Sequence, residues 1–256
     1  MTWKLPNSLQ PLRRFTQYRP ELSVLLAVLA IVGSAWLFVA LGDWVSDGES
    51  QSFDAWVNNS LRRPDEPSRP RGPQWLLEVG RDITALGGPV VLTIITLATA
   101  GYLLLARKSH AMLLMLLAIV SGVLLSTALK EYFGRERPAG GSDLVSVMTY
   151  SFPSGHSMLS AIVYLVLGTM LARSESRRAI RAYFMSLAVL LTLLVGLSRI
   201  FMLVHYPTDV LGGWTAGLAW ALIWWLIARY LQQRGDVEPP TSGSAPIANT
   251  AKSRPL

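Results

Sequence analysis

The sequence predicts an all-α, polytopic membrane protein of six transmembrane helices. Three observations predict it. First, 51% of the 256 residues are hydrophobic and only 15% are charged, against roughly 25% charged in an ordinary soluble domain. Second, six stretches of about 18 or more residues run almost without charge, which suits helices because only a helix satisfies its own backbone hydrogen bonds within lipid. Third, the net charge of +7 is not gathered in one basic stripe but falls between the apolar runs, which removes the support for nucleic-acid binding.

The six runs lie at about Leu22–Leu41, Pro89–Ala106, Ala111–Leu129, Gly155–Ala172, Tyr183–Val204 and Val210–Leu231. Arg13, Arg14 and Arg19 precede the first, as they would in a signal peptide. Its apolar core is too long for that and no small-residue cleavage pattern follows, so it is expected to be a retained anchor. The chain divides into an N-terminal segment 1–21, a membrane domain 22–231 and a polar tail 232–256, rich in Pro, Ser and Gly, where disorder is expected. The outer connection 42–88 is the one long non-spanning segment. Its middle, Arg62–Pro73, reads as an irregular loop, and the flanking Phe53–Val57 and Trp75–Val79 mix aromatic, apolar and charged residues as interfacial helices do. These aromatics either anchor the loop at the lipid surface or line the mouth of a lipid cleft. Gly213 and Gly217 form a small-xxx-small pair that predicts close helix packing, within one chain or between two copies.

Six crossings put both termini on one side. With that side inside, the inner segments hold 14 of the 23 basic residues and only 4 of the 16 acidic ones, so the positive-inside rule orients the chain N-in and C-in.

The absence of cysteine excludes disulfides, iron–sulfur clusters, thiolate zinc sites and cysteine nucleophiles. Chemistry must come from other groups, and three polar clusters fall at outer helix ends. The first is Lys130 to Pro138, whose Lys130 and Arg137 would share a helical face nearly two turns apart if the helix continued through Gly134; alternatively Lys130 snorkels and Arg137 is solvated. The second is Pro153-Ser154-Gly155-His156. Ser154 can cap the following helix, Gly155 lets a ligand approach the backbone, and the free N–H groups suit an anion, although Pro-Ser-Gly is also an ordinary helix start. The third joins Ser198-Arg199 to His205-Tyr206-Pro207-Thr208-Asp209. Arg199 lies within a span, where a lone guanidinium is expensive; Asp209 opens the last helix with Thr208 as its expected cap, which by itself is a favourable acid at a helix N-terminus. His110, beside Arg107 and Lys108 in an inner turn, reads as a solvated surface residue.

The topology places all three clusters on the same face. Together they supply three cations, hydrogen-bond donors, two histidines and a carboxylate, which suits attack on a phosphate: one imidazole as nucleophile, the other as proton donor, the cations on the oxyanion. Lys130-x6-Arg137-Pro138, Pro153-Ser154-Gly155-His156 and Ser198-Arg199-x5-His205-x3-Asp209 resemble the three-part signature of the type 2 phosphatidic acid phosphatase superfamily, over the body from the second helix onward. The resemblance implies that His205 forms a phosphohistidine, that Asp209 orients it, and that His156 is the general acid and then the base. It implies that Lys130, Arg137, Ser154, Gly155 and Arg199 cradle the phosphoryl group, with no metal or other cofactor. Two histidines and Asp209 could hold a cation in principle, but three adjacent positive side chains oppose it.

The expected function is a metal-independent lipid phosphatase of the cell inner membrane, active toward the periplasm and in contact with membrane lipids as substrate and solvent. Undecaprenyl diphosphate is the favoured substrate because the site faces outward; phosphatidylglycerol phosphate, phosphatidic acid and lipid A 1-phosphate fit the same chemistry. The competing readings are a lipid transporter or scramblase that binds anionic head groups without hydrolysis, and a haloperoxidase-like use of the cradle for vanadate.

Overall fold

The computed structural model describes residues 19–138, 149–235 and 237. The expectations for residues 1–18 and for most of the 232–256 tail lie outside the described residues. Eight helices are described: α1 Arg19–Ser46, α2 Gln51–Leu61, α3 Gln74–Ala85, α4 Pro89–Leu105, α5 Ser109–Phe133, α6 Gly155–Ser174, α7 Arg178–Phe201 and α8 Pro207–Arg234. Among the described residues there is no strand, and the chain is an integral membrane protein built from helices.

α1, α5, α6, α7 and α8 are each long and apolar enough to cross a membrane. α4 is not, because its 17 residues reach roughly 26 Å at about 1.5 Å per residue, short of a hydrocarbon core of about 30 Å. α3 meets α4 at a 43° bend, and the two taken together are long and apolar enough for a sixth crossing. In the 42–88 segment the irregular middle and the two flanking helices lie where the sequence places them. α1 runs on to Ser46, α2 and α3 follow, and only the stretch between them is irregular, closed by Arg63 N–H to the Arg69 carbonyl (3.0 Å) and Arg71 N–H to the Leu61 carbonyl (2.7 Å).

α6 is the centre of the bundle. Met158, Ala161, Ile162 and Val163 are at most 1% exposed, and α6 packs on α7 and α8 while α1 leans on α8. Leu22, Leu25, Leu29, Val32 and Trp36 on α1 and Val90, Ile94 and Leu97 on α4 are exposed, an outward apolar surface that only lipid satisfies. Gly213 and Gly217 serve this packing within the chain. A Cβ on Gly213 would stand 2.6 Å from the Ser154 carbonyl oxygen, and one on Gly217 2.7 Å from both Ala161 Cβ and the Met158 carbonyl oxygen. Backbone contact this close between α6 and α8 requires glycine.

Two helix ends differ from the sequence expectation. α5 stops at Phe133, where Gly134 adopts φ +54° and returns its N–H to the Lys130 carbonyl at 3.0 Å. Lys130 and Arg137 therefore do not share a helical face, and Arg137 reaches the site from an extended segment. α8 begins at Pro207 rather than after Thr208. Its cap is Tyr206, whose backbone N–H is held by the Asp209 carboxylate at 2.8 Å, so Thr208 is not the cap and its hydroxyl is free for another role.

Substituting Gly213→Leu should destabilise the fold by about 1–3 kcal/mol through overpacking against α6 backbone, read as a lower unfolding midpoint in detergent. An unchanged midpoint would contradict this packing.

Candidate active site

The C-terminal ends of α5 and α7 and the N-terminal ends of α6 and α8 meet at one end of the bundle, and there the structure gathers the predicted residues. Lys130, in the last turn of α5, is 9% exposed and donates to the Tyr150 carbonyl at 2.5 Å. Its Cε would lie 3.3 Å from a Cβ at Gly155, so the lysine stem fills the space that glycine leaves at the start of α6. Ser154 caps α6, accepting from Ser157 N–H at 3.5 Å and from the Ser157 hydroxyl at 3.0 Å. Its own proton remains available to a ligand. The Ser154 N–H donates to the Asp209 carbonyl at 2.9 Å, which ties the second cluster to the third.

Arg199 is 1% exposed. Its Nη1 donates to Thr84 Oγ1 on α3 at 3.0 Å, whereas Nε and Nη2 are buried without a partner among the described residues. A buried guanidinium with unpaired N–H groups is costly unless an anion completes it. His156, half-buried in the first turn of α6, lies within electrostatic reach of Arg199, His205, Arg137 and Lys130.

His205 sits in the turn between α7 and α8 and is 1% exposed. Its Nε2 is 3.0 Å from Arg137 Nη1, and because a guanidinium only donates, Nε2 must accept there. The ring proton is thereby assigned to Nδ1, which faces Asp209 Oδ2 at 3.3 Å. This tautomer leaves the Nε2 lone pair on the side of the cations. Arg137 is fixed by its other N–H groups on the Val204 carbonyl (2.8 Å) and the Thr149 carbonyl (2.7 Å). Burial lowers its pKa from the ordinary arginine value, against the pull of Asp209.

Asp209 is fully buried and saturated. Oδ2 accepts from Ser151 Oγ (2.5 Å) and Tyr206 N–H (2.8 Å), while Oδ1 accepts from Arg135 Nη1 (2.6 Å). Arg135 in turn gives Nη2 to Asp54 Oδ2 on α2 at 2.6 Å and stacks its guanidinium 4.3 Å over the Tyr206 ring. Burial opposes its charge, but Asp209 and Asp54 together raise its pKa above the ordinary arginine value.

All eight predicted site residues thus converge. Sequence reasoning missed Asp54, Thr84, Arg135, Ser151 and Thr208. The one available signal was the polar repeat Ser50, Asp54, Asn58, at helical spacing, in a segment read as interfacial. Trp56 on α2 and Trp75 on α3 are more than half exposed, whereas the opposite faces of the two helices are buried. A cavity of about 250 Å³ at the other end of the bundle, lined by residues such as Met115, Leu167 and Trp224, brings together none of this chemistry. Among the described residues no three His, Asp or Glu side chains are grouped as metal ligands.

Fold and site together define a class, the membrane lipid phosphatases of the PAP2 superfamily. The superfamily's sequence model matches residues 111–233, and the chain belongs to that superfamily. Among individual relatives, phosphatidylglycerophosphatase B of Bacillus subtilis (strain 168) is 40% identical over 148 residues, which is 56% of this chain and 71% of that protein. The crystal structure of a transmembrane PAP2-type phosphatidylglycerolphosphate phosphatase from Bacillus subtilis superposes with a TM-score of 0.67 at 30% identity, covering 78% of this chain and 96% of that one. LpxE of Aquifex aeolicus aligns at a TM-score of 0.49 and 24% identity.

Burial pushes the His205 imidazole down to about 3, with Asp209 pulling the other way and Arg199 and Arg137 reinforcing burial. An unfolded histidine titrates near about 6.5. The unfolded chain therefore binds a proton that the folded one refuses, so this group's contribution to stability is full above that value and declines as pH falls toward 3. Thermal unfolding of His205→Gln in detergent should lose less stability between pH 7 and 5 than the parent protein. Equal losses would contradict a buried neutral imidazole.

Proposed function

We propose that this chain hydrolyses the terminal phosphate of a membrane lipid through a phosphohistidine on His205, with phosphatidylglycerol phosphate as its substrate. The observation that carries the reading is the half-satisfied, fully buried Arg199 beside a histidine whose Nε2 lone pair faces a second guanidinium. The substrate assignment follows the name of the Bacillus subtilis relative. Undecaprenyl diphosphate, expected from an outward-facing site, is the second reading, favoured by the basic residues at the opposite helix ends, among them Arg107, Lys108, Arg173 and Arg177. These also support the N-in, C-in orientation and a periplasmic site.

In the first step the phosphoryl group displaces the Arg137 N–H from Nε2 and takes up the unpaired donors of Arg199, with Lys130, the Ser154 hydroxyl and the Gly155 N–H completing the cradle. Nε2 bonds to phosphorus as the P–O bond to the lipid breaks, and His156 gives its proton to the leaving oxygen. The negative charge of the phosphate offsets the surrounding cations and so favours the protonated His156 needed at that moment. Asp209 holds the Nδ1 proton and balances the charge that develops on His205. In the second step water attacks phosphorus, His156 accepts a water proton, the P–N bond breaks, and inorganic phosphate leaves with His205 neutral again. Beyond the lipid and one water, both steps use groups of this chain.

Phosphate release should be measured in parallel from phosphatidylglycerol phosphate, undecaprenyl diphosphate, phosphatidic acid and lipid A, with EDTA present. The expected result is release that favours phosphatidylglycerol phosphate, persists in EDTA, is inhibited by vanadate and vanishes in His205→Ala. Arg199→Lys, which keeps the charge but not the fork of donors, should reduce kcat by about 10²–10³-fold. Turnover retained by His205→Ala, or dependent on added magnesium, would overturn the mechanism. Binding of these lipids without any release would favour the transporter or scramblase reading.

A further inference from the structure

α2 buries its polar face and exposes an aromatic one. Ser50 and Asp54 are fully buried and Asn58 is 2% exposed, whereas Trp56 faces outward. The polar face is therefore applied to the protein, against the start of α8. There Asp54 Oδ1 accepts the Thr208 N–H at 3.2 Å, and Oδ2 accepts the Thr208 hydroxyl and Arg135 Nη2, each at 2.6 Å. Arg135 Nη1 spans to Thr208 Oγ1 at 2.8 Å and to Asp209 Oδ1 at 2.6 Å, and Ser50 Oγ lies 3.4 Å from Nη2. One guanidinium is thus shared between two carboxylates that are both excluded from water.

The sharing has a consequence for charge. If Arg135 met Asp209 alone, the pair would be neutral, and Asp209 would have little negative charge left to offer the Nδ1 side of His205. With Asp54 on its other edge, the group Asp54–Arg135–Asp209 carries a net charge of −1. That surplus lies where the imidazole becomes cationic as Nε2 bonds to phosphorus, in surroundings of low dielectric where it acts strongly. The same contacts occupy Asp209 Oδ1, so that Oδ2 is the oxygen turned to His205.

We infer that Asp54 and Arg135 are positioning residues that set the orientation and net charge of Asp209, and through it of His205, so that outer helix α2 completes the support of the nucleophile. The inference rests on the phosphohistidine reading above. Neither residue touches substrate in this account, so their effect belongs in the rate of phosphoryl transfer and not in phosphate binding.

The test is a charge cycle in the detergent-solubilised full chain, scored by kcat, KM for phosphatidylglycerol phosphate and product inhibition by inorganic phosphate. Asp54→Asn is nearly isosteric and leaves Arg135 paired with Asp209 alone. Its kcat should fall by about 10–100-fold, as for other groups that orient a catalytic histidine or ligand, while KM and the inhibition constant of phosphate stay within about twofold. Combining it with Arg135→Gln restores the net −1 on Asp209, and kcat should rise above that of the single variant. An unchanged kcat in Asp54→Asn would overturn the inference. So would a double variant slower than the single, the result expected of a network that only holds the fold together. If Asp54→Asn does not yield folded protein, the double variant decides alone: kcat within about tenfold of the parent supports charge balance, and loss of activity contradicts it. Absence of turnover by the parent protein on every lipid phosphate would instead overturn the hydrolytic reading, and this inference with it.

Discussion

The structure depends on holding three cations, Lys130, Arg137 and Arg199, together at one end of a membrane bundle with too little negative charge to balance them. Like charges about 4 Å apart repel by about 4 kcal/mol at an effective dielectric of about 20, and removing each from water adds to the cost. The carboxylates nearby, Asp54 and Asp209, are already engaged by Arg135. What remains is a positive pocket in which part of Arg199 has no partner among the described residues. A phosphate dianion is the natural complement, so the arrangement stores at the resting site the electrostatic stabilisation that phosphoryl transfer needs.

Such a cluster stays in place only if the backbone around it cannot relax. α6 and α8 are locked at their first turns, with Gly213 against the Ser154 carbonyl and the Ser154 N–H on the Asp209 carbonyl. The start of α8 is fixed again by Asp209 reaching back to Tyr206 N–H. One carboxylate thereby caps a helix, orients the His205 imidazole and receives Arg135. The aromatic group Phe38, Phe133 and Phe152, with ring centroids 4.7–6.0 Å apart, packs α1 against the end of α5 and the chain entering α6. The spanning helices thus continue directly into the walls of the site.

Much of this was legible in the sequence for physical reasons. Lipid forces spanning helices to be long and apolar, so each of the six runs is present as a helix, five of them long enough to cross alone. The motif residues were legible because each cluster pairs a backbone device with a charge, as in Ser154-Gly155-His156. The missed features arise from distance in the chain. Asp54 and Thr208 are 154 residues apart and Arg135 and Asp209 are 74 apart, and no local pattern announces that they will meet. Helix ends were misjudged for a related reason. Gly134 terminates α5 because it can adopt a left-handed conformation there, and Asp209 displaced Thr208 from the capping role because a carboxylate at the third helical position can reach back to the cap.

The central claim is that His205, primed by Asp209 and facing three cations, carries the phosphoryl group in a covalent intermediate. The most direct test is rapid acid-free quenching of the purified protein with phosphatidylglycerol phosphate labelled in its terminal phosphate, followed by peptide mapping. The account predicts a transient, alkali-stable and acid-labile label on the peptide containing His205, formed no more slowly than phosphate is released. Phosphate release with no labelled enzyme, or label on any other residue, would contradict it.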